Sequence, residues 1–259
     1  MGIYTKIIDL QKLEKSWQKV RQNKPAAGAD GITVDEFEAR KREYLQQLHL
    51  DLKNGVYKPQ VVKMISIVKN EKVREIGLFS MRDKVVHLSI QLELQKIYEP
   101  IFSSRCQAYR PGKSSLLASK EIEGYVKTHT DYWLLKLDIE KFFDNISKEQ
   151  LIDILNRRLH ETELIDLLKC CLNTSSVDKD GVIHEKEVGV YQGSSLSPVL
   201  SNIYLSHFDK LMENKCEFYL RYSDDILILG KDEDTVKSCY KVALEEIQKM
   251  GLSFQGIES

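Results

Sequence analysis

Leu10, Leu13, Trp17 and Val20 recur at three- and four-residue spacing, which predicts an amphipathic helix near the start of the chain. Thr33 followed by Glu36 has the form of a capping box. It predicts a second helix whose apolar face runs through Phe37, Tyr44, Leu48 and Leu52 and which stops at Asn54-Gly55. The period then changes from helical to alternating. Residues 61–68 are rich in β-branched side chains, 70–72 form a polar turn, and 73–78 read as a second short strand, together a hairpin. A long helix follows over 82–98, Arg110-Pro111-Gly112 interrupts, and a further helix is expected over 114–126.

From Tyr132 a second unit begins with an apolar strand that ends in Asp138. Ser147 and Gln150 cap another helix. Residues 177–190 read as a hairpin around Lys179-Asp180-Gly181, and 196–212 as a helix. Two apolar strands, 218–222 and 226–229, are separated only by Ser223-Asp224-Asp225, and a helix over 233–250 closes the pattern. This order predicts an antiparallel sheet backed by helices, the α+β class. With no repeat or low-complexity linker, the change of element type divides the chain into 1–130 and 131–259.

The chain has 259 residues, of which 42% are hydrophobic and 30% charged, so it carries enough apolar surface for a folded core. No run reaches the roughly 18 apolar residues of a membrane span. The segment from Met1 to Lys6 lacks the apolar centre of a signal peptide and the Ser or Thr of a myristoylation signal. A cytoplasmic protein without membrane attachment is expected. Five cysteines without C-x-x-C spacing predict reduced thiols rather than disulfides or zinc, and the six histidines form no helical metal pair. The net charge of −1 argues against a nucleic-acid partner until it is resolved along the chain. Between Lys53 and Lys113 basic residues exceed acidic ones by seven, leaving −8 elsewhere. That is either a solvated charged surface or an electrostatic footprint for phosphates.

Asp224 and Asp225 are adjacent carboxylates in a tight turn between apolar strands. Such a pair is costly unless it is exposed at the turn or shares a cation. Asp138 also ends an apolar strand. If both strands lie in one sheet, three carboxylates converge on one edge and can hold two Mg²⁺ about 3.5 to 4 Å apart.

Tyr222-Ser223-Asp224-Asp225 is similar to the Y-x-D-D signature of reverse transcriptases, and Leu137-Asp138-Ile139-Glu140-Lys141-Phe142-Phe143-Asp144-Asn145-Ile146 resembles their first aspartate motif. The run from Gln192-Gly193-Ser194-Ser195 through Ser197-Pro198 to Asn202 resembles their Q-G-x-x-x-S-P motif. Upstream, Asn23-Lys24 with Gly28-Ala29-Asp30-Gly31, Arg82 to Val86, Tyr98 to Phe102 and Tyr109-Arg110-Pro111-Gly112 look like the fingers motifs of bacterial group II intron-type members. A lone Y-x-D-D is weak; these motifs in family order are specific.

The resemblance implies a right-hand polymerase with fingers over 1–130 and palm over 131–259, acting as an RNA-directed DNA polymerase on an RNA template, a DNA or RNA primer and deoxynucleoside triphosphates. It implies that Asp138, Asp224 and Asp225 are catalytic and bind Mg²⁺ or Mn²⁺, with the Ile139 carbonyl as a further ligand. Phe143 would close off the sugar 2′ position, its alternative being a core aromatic beside Phe142. Lys69 and Arg74 would meet the triphosphate, and Gln192 and Gly193 would line the nucleotide pocket. Arg105, Arg110 and Lys113 would touch the template from the basic region, or serve as ordinary surface charge.

The chain departs from the family where Gly251 to Ser259 stand in place of a Lys-containing strand, primer grip and helical thumb, so no general-acid lysine is assigned after the last helix. A thumb or maturase segment, or a partner protein, supplied separately is the matching expectation. Ser194-Ser195 differ from the Gly-rich form of intron-encoded members. The subfamily therefore stays open among intron, CRISPR-associated, retron-like and anti-phage (antiviral defence) enzymes. Two other functions are weighed: an RNA-binding fragment that no longer polymerises, and template-free nucleotidyl transfer.

Overall fold

In a computed structural model, residues 2–69 and 72–256 are described, the side chains of Lys69 and Lys72 excepted. The chain opens with α1 (Ile3–Ile8) and α2 (Leu10–Gln22). Leu13, Trp17 and Val20 of α2 are buried, as their spacing requires. The Thr33–Glu36 capping box forms in full. It opens α3 (Val34–Ala39), and the helix expected to continue through Leu52 breaks at Arg40 before α4 (Lys41–Lys53). Nothing in the local sequence announced α1. Its first N–H groups, on Ile3 and Tyr4, donate to the Glu161 carboxylate at 2.7 and 2.8 Å, a cap supplied by a residue far along the chain.

The alternating segment forms β1 (Val62–Lys69) and β2 (Lys72–Leu78), an antiparallel pair whose expected turn lies mostly outside the described residues. Next come α5 (Met81–Tyr98), α6 (Ser115–Thr128), β3 (Trp133–Asp138), the short α7 (Phe142–Asn145), α8 (Lys148–Leu159) and α9 (Thr162–Leu172). The hairpin expected over 177–190 shrinks to β4 (Ser176–Val177) and β5 (Ile183–His184), because the Asp178 carboxylate takes the Asp180 and Val182 N–H groups and holds a wide loop. The helix expected over 196–212 divides into α10 (Ser197–Tyr204) and α11 (Ser206–Lys215). Around the break, Ser201 and Ser206 donate their hydroxyls to the carbonyls three residues back, which loosens a helical ladder. The chain then forms β6 (Phe218–Tyr222), β7 (Asp225–Gly230) and α12 (Glu233–Lys249).

Two compact units result, and neither is contiguous. One comprises the chain up to Lys96 plus Ile152–Ser197; the other comprises Ile97–Leu151 plus the segment from Pro198 onward. The sequence reading placed one division at 130/131. The units cross that line because β4 returns to pair in parallel with β1, Val62 opposite Ser176, extending the first sheet to the order β2-β1-β4-β5. Strand pairing between segments more than a hundred residues apart leaves no local trace.

In the first unit, α5 is apolar on several sides, burying Met81, Val85, Val86, Ile90 and Leu94. It also buries polar groups that find partners. Asp83 accepts from the Tyr57 and Ser80 hydroxyls at 2.6 and 2.8 Å and from the Gln60 N–H at 2.9 Å. His87 shares a hydrogen bond with the Ser194 hydroxyl at 2.9 Å, while its Nε2 is buried without a partner. In the second unit a three-stranded antiparallel sheet in the order β3-β7-β6 packs α11 and α12 against its strands, with α6 on the face that carries Phe218, Leu220 and Leu229. This is the antiparallel, helix-backed sheet the sequence predicted. The cysteines are unpaired, as expected. Among the described residues no helix is long and apolar enough to cross a membrane.

Burial lowers the His87 pKa to about 4. The folded protein therefore keeps His87 neutral while the unfolded chain takes up a proton below about pH 6.5. Stability is lost as pH falls from about 6.5 toward 4, by up to roughly 3 kcal/mol. Asn in place of His87 can still reach the Ser194 hydroxyl but does not titrate. Urea denaturation of wild type and His87→Asn across that range should give a flatter pH dependence for the variant.

Candidate active site

The register of the β3-β7-β6 sheet sets the site. Asp138, the last residue of β3, lies directly opposite Asp225, the first residue of β7, and the Ile139 N–H donates to the Asp224 carbonyl at 3.2 Å. Alternation along β3 and β7 puts Lys136, Asp138 and Asp225 on one face. Tyr222 pairs with Asp225, so Ser223 and Asp224 alone make the turn. All three aspartates are half-buried.

A cation is already drawn to this edge. The Lys136 ammonium lies 3.1 Å from the Asp225 carboxylate. Its pKa is raised by the hydrogen bond and charge of Asp225 and more weakly by Asp138 and Asp224. The Lys136 ammonium thus answers chiefly to Asp225 and more weakly to the other two aspartates. Among the described residues no set of three His, Cys, Asp or Glu closes into a metal cage. An open edge of hard oxygen donors suits a divalent ion that takes its remaining ligands from water or a bound molecule better than a closed structural site would. Ile139 is buried at the junction, where it also pairs with Phe254.

The turn is held from beneath by Arg221. Its side chain is fully buried and donates to Asp209 from Nε and Nη2, both at 2.6 Å, and from Nη1 to the Ser223 carbonyl at 2.8 Å. Asn202 Oδ1 and Cys106 Sγ take its remaining donors, and the Tyr219 hydroxyl completes Asp209 at 2.7 Å. Ser223 has φ of 63°, a left-handed conformation that non-glycine residues seldom adopt. Sequence reasoning missed Arg221, Asp209 and Asn202 as supports. The available signal was a charged residue inside the apolar run 218–222, which must find a partner if the strand is buried.

Phe143 lies in α7 and is half-buried, whereas Phe142 is 2% exposed and is the core aromatic of the pair. The Phe143 ring meets Tyr109 at 6.4 Å and 72°, edge to face. The remaining nucleotide candidates belong to the other unit. Arg74 is exposed on β2 opposite Ile67, and the Lys69 side chain lies outside the described residues. Gln192 and Gly193 are docked on β2, where the Gln192 carbonyl accepts the Gly77 N–H at 2.8 Å. At Gly193, with φ of 103°, a Cβ would stand 2.5 Å from the Gly77 carbonyl oxygen, so glycine is required there.

The three basic template candidates have internal partners. Arg110 is 6% exposed in its side chain and donates to Glu99 and to the Ser103 and Cys106 carbonyls, which makes it a tie for its own loop rather than a free phosphate donor. Arg105 pairs with Glu121 at 3.1 Å and covers the Phe218 ring; Lys113 reaches the Ser104 carbonyl and lies 3.8 Å from Glu121. Both keep partial exposure.

Residues 56–256 match the model of the family described as reverse transcriptase (RNA-dependent DNA polymerase), and the chain belongs to that family. Members of it use divalent metal ions. Its curated relatives include intron-encoded proteins, one of them from a group II intron. It is 32% identical over 212 residues to the COX1/OXI3 intron 2 protein of Saccharomyces cerevisiae, covering 81% of this chain and 24% of that protein. It is 30% identical over 199 residues to the group II intron-encoded protein LtrA of Lactococcus lactis subsp. cremoris, covering 76% and 33%. The chain thus spans between a quarter and a third of these relatives' length. A chain of the partial Cas6-RT-Cas1–Cas2 complex shares the fold, with a TM-score of 0.58 at 22% identity over 96% of this chain and 43% of that one.

Removing one member of a buried ion pair strands the other charge. Asp209→Ala should therefore lower unfolding free energy by about 3–5 kcal/mol in urea titrations, and the double change Arg221→Met with Asp209→Leu should recover much of that loss.

Proposed function

We propose that this chain is the polymerising part of an RNA-directed DNA polymerase, joining a primer 3′-hydroxyl to the α-phosphate of a deoxynucleoside triphosphate with release of pyrophosphate. The observation that carries the reading is the pairing of Asp138 with Asp225 beside Asp224 at the edge of one antiparallel sheet, inside a family match that covers most of the chain. Two Mg²⁺ ions, or Mn²⁺, held there would lower the charge barrier between hydroxyl and phosphate. Asp138 and Asp224 would hold both, with Asp225 supporting them and the Ile139 carbonyl as a further ligand. Lys136 keeps Asp225 in place beforehand and would yield its position to a bound ion.

Phe143, turned partly outward from α7, is the residue suited to meet the sugar 2′ position and so to disfavour ribonucleotides. Lys69 and Arg74, the latter exposed on β2, would meet the triphosphate, and the tight Gln192-Gly193 backbone would admit the nucleotide closely. The basic stretch from Lys53 to Lys113 would carry the RNA template by phosphate contacts that read no sequence, with Arg105 and Lys113 among the contributors. Relatives encoded in group II introns and a neighbour from a Cas6-RT-Cas1–Cas2 complex support an intron-type or CRISPR-type setting, in which further segments or partner proteins complete the machine.

Primer extension with an RNA template, DNA primer and Mg²⁺ is expected to yield products that follow the template and vanish without it. Asp224→Asn should cut incorporation by about a thousandfold or more while leaving the melting transition in place, since it removes one of three mutually repelling carboxylates. Template binding without extension would instead favour an RNA-binding role, and untemplated addition a terminal-transfer role.

A further inference from the structure

Two residues of the second unit hold left-handed backbone conformations and touch one another. Tyr109 has φ of 60° and Ser223 φ of 63°, and the Tyr109 hydroxyl lies 3.0 Å from the Ser223 hydroxyl. Neither is a glycine, and residues held in such conformations persist only where their surroundings over-determine them. The surroundings of Tyr109 do so. The Ala108 carbonyl before it accepts from Asn202 at 2.9 Å, the Gln107 N–H donates to the Arg221 carbonyl at 2.9 Å, and Arg110 after it is tied to Glu99, Ser103 and Cys106. The residues on either side are held, yet Tyr109 itself is 46% exposed. An exposed aromatic residue in a strained conformation between anchored neighbours has been placed for something other than core packing.

What it touches identifies the role. Its ring meets Phe143 edge to face, and its hydroxyl meets the residue that precedes Asp224 in the two-residue turn. Phe143 reaches this point from the short helix after β3, and Ser223 from the β6–β7 turn. Tyr109 is therefore the side chain that joins the sugar-facing aromatic to the carboxylate turn.

We propose that Tyr109 is a positioning residue for sugar discrimination: it backs the Phe143 ring so that it stands firm against a 2′-hydroxyl, and through Ser223 it fixes the turn that presents Asp224. The inference rests on the polymerase reading and on Phe143 as the sugar-facing residue. The two contacts separate by mutation, because Tyr109→Phe keeps the ring and loses the hydroxyl, whereas Tyr109→Ala loses both.

The experiment measures kcat and KM for a deoxynucleotide and its ribonucleotide counterpart with the full chain, its Phe143→Val, Tyr109→Phe, Tyr109→Ala and Ser223→Ala variants, and the Tyr109→Phe/Ser223→Ala pair. Tyr109→Ala should lower the deoxy-to-ribo ratio of kcat/KM by about tenfold, approaching Phe143→Val. Tyr109→Phe should leave that ratio within about twofold of wild type while lowering kcat for both nucleotides, and the double variant should lose no more kcat than either single one, as expected of one shared bond. A ratio that falls in Phe143→Val but not in Tyr109→Ala overturns this inference alone. A ratio unchanged in Phe143→Val overturns the sugar-facing reading and this inference with it. If Tyr109→Ala does not fold, the hydroxyl arm decides: additive kcat losses in the double variant, or none in Tyr109→Phe, overturn the proposal.

Discussion

A guanidinium with no exposed surface, Arg221, lies two residues before the turn that carries Asp224, and the geometry of that turn depends on it. An isolated buried charge is costly in an apolar interior, so Arg221 is tolerated only because Asp209, Asn202, Cys106 and the Ser223 carbonyl meet it from four sides. The pair links β6 to α11. Because β6 pairs with β7 and β7 with β3, the same anchor indirectly sets where Asp225 stands opposite Asp138.

The opposite problem arises on the other side of the turn. Three half-buried carboxylates of like charge stand at this edge, and the Lys136 ammonium beside Asp225 offsets part of their repulsion. A rigid ion pair below and an electrostatically frustrated edge above give a site that is held in shape without relying on its ligands. That is the preorganisation the proposed phosphoryl transfer would demand, since positioning and charge stabilisation supply most of the catalysis in such reactions. The left-handed Ser223 and Tyr109 belong to the same design, with local strain offset by the packing around them.

Much of this was legible in the residues. The Thr33–Glu36 box, the alternation of 61–68 and the apolar strand ending at Asp138 each formed where the pattern placed them. The carboxylate turn fell between two paired strands as its flanking residues required. The charges were harder to read. Both Arg110 and Arg221 are internal ties, Arg110 to Glu99, Ser103 and Cys106 of its own loop and Arg221 to Asp209 and Asn202 on other elements, and their residue type names neither set of partners. Arg74, by contrast, did remain exposed on its strand.

The sequence by itself determined what is decided within a few residues: helical and strand periods, local caps, the tight turn between the two apolar strands, and the motifs that mark the family. Tertiary structure decided what depends on distant partners. Glu161 caps α1 from 158 positions away, β4 returns to β1 and makes both units discontinuous, and Tyr109 meets Ser223 across 114 positions. The physical reason is the range of the forces involved. Backbone propensity and caps drawn from neighbouring residues act over one helical turn, whereas burial selects partners by proximity in space and takes no account of their separation along the chain.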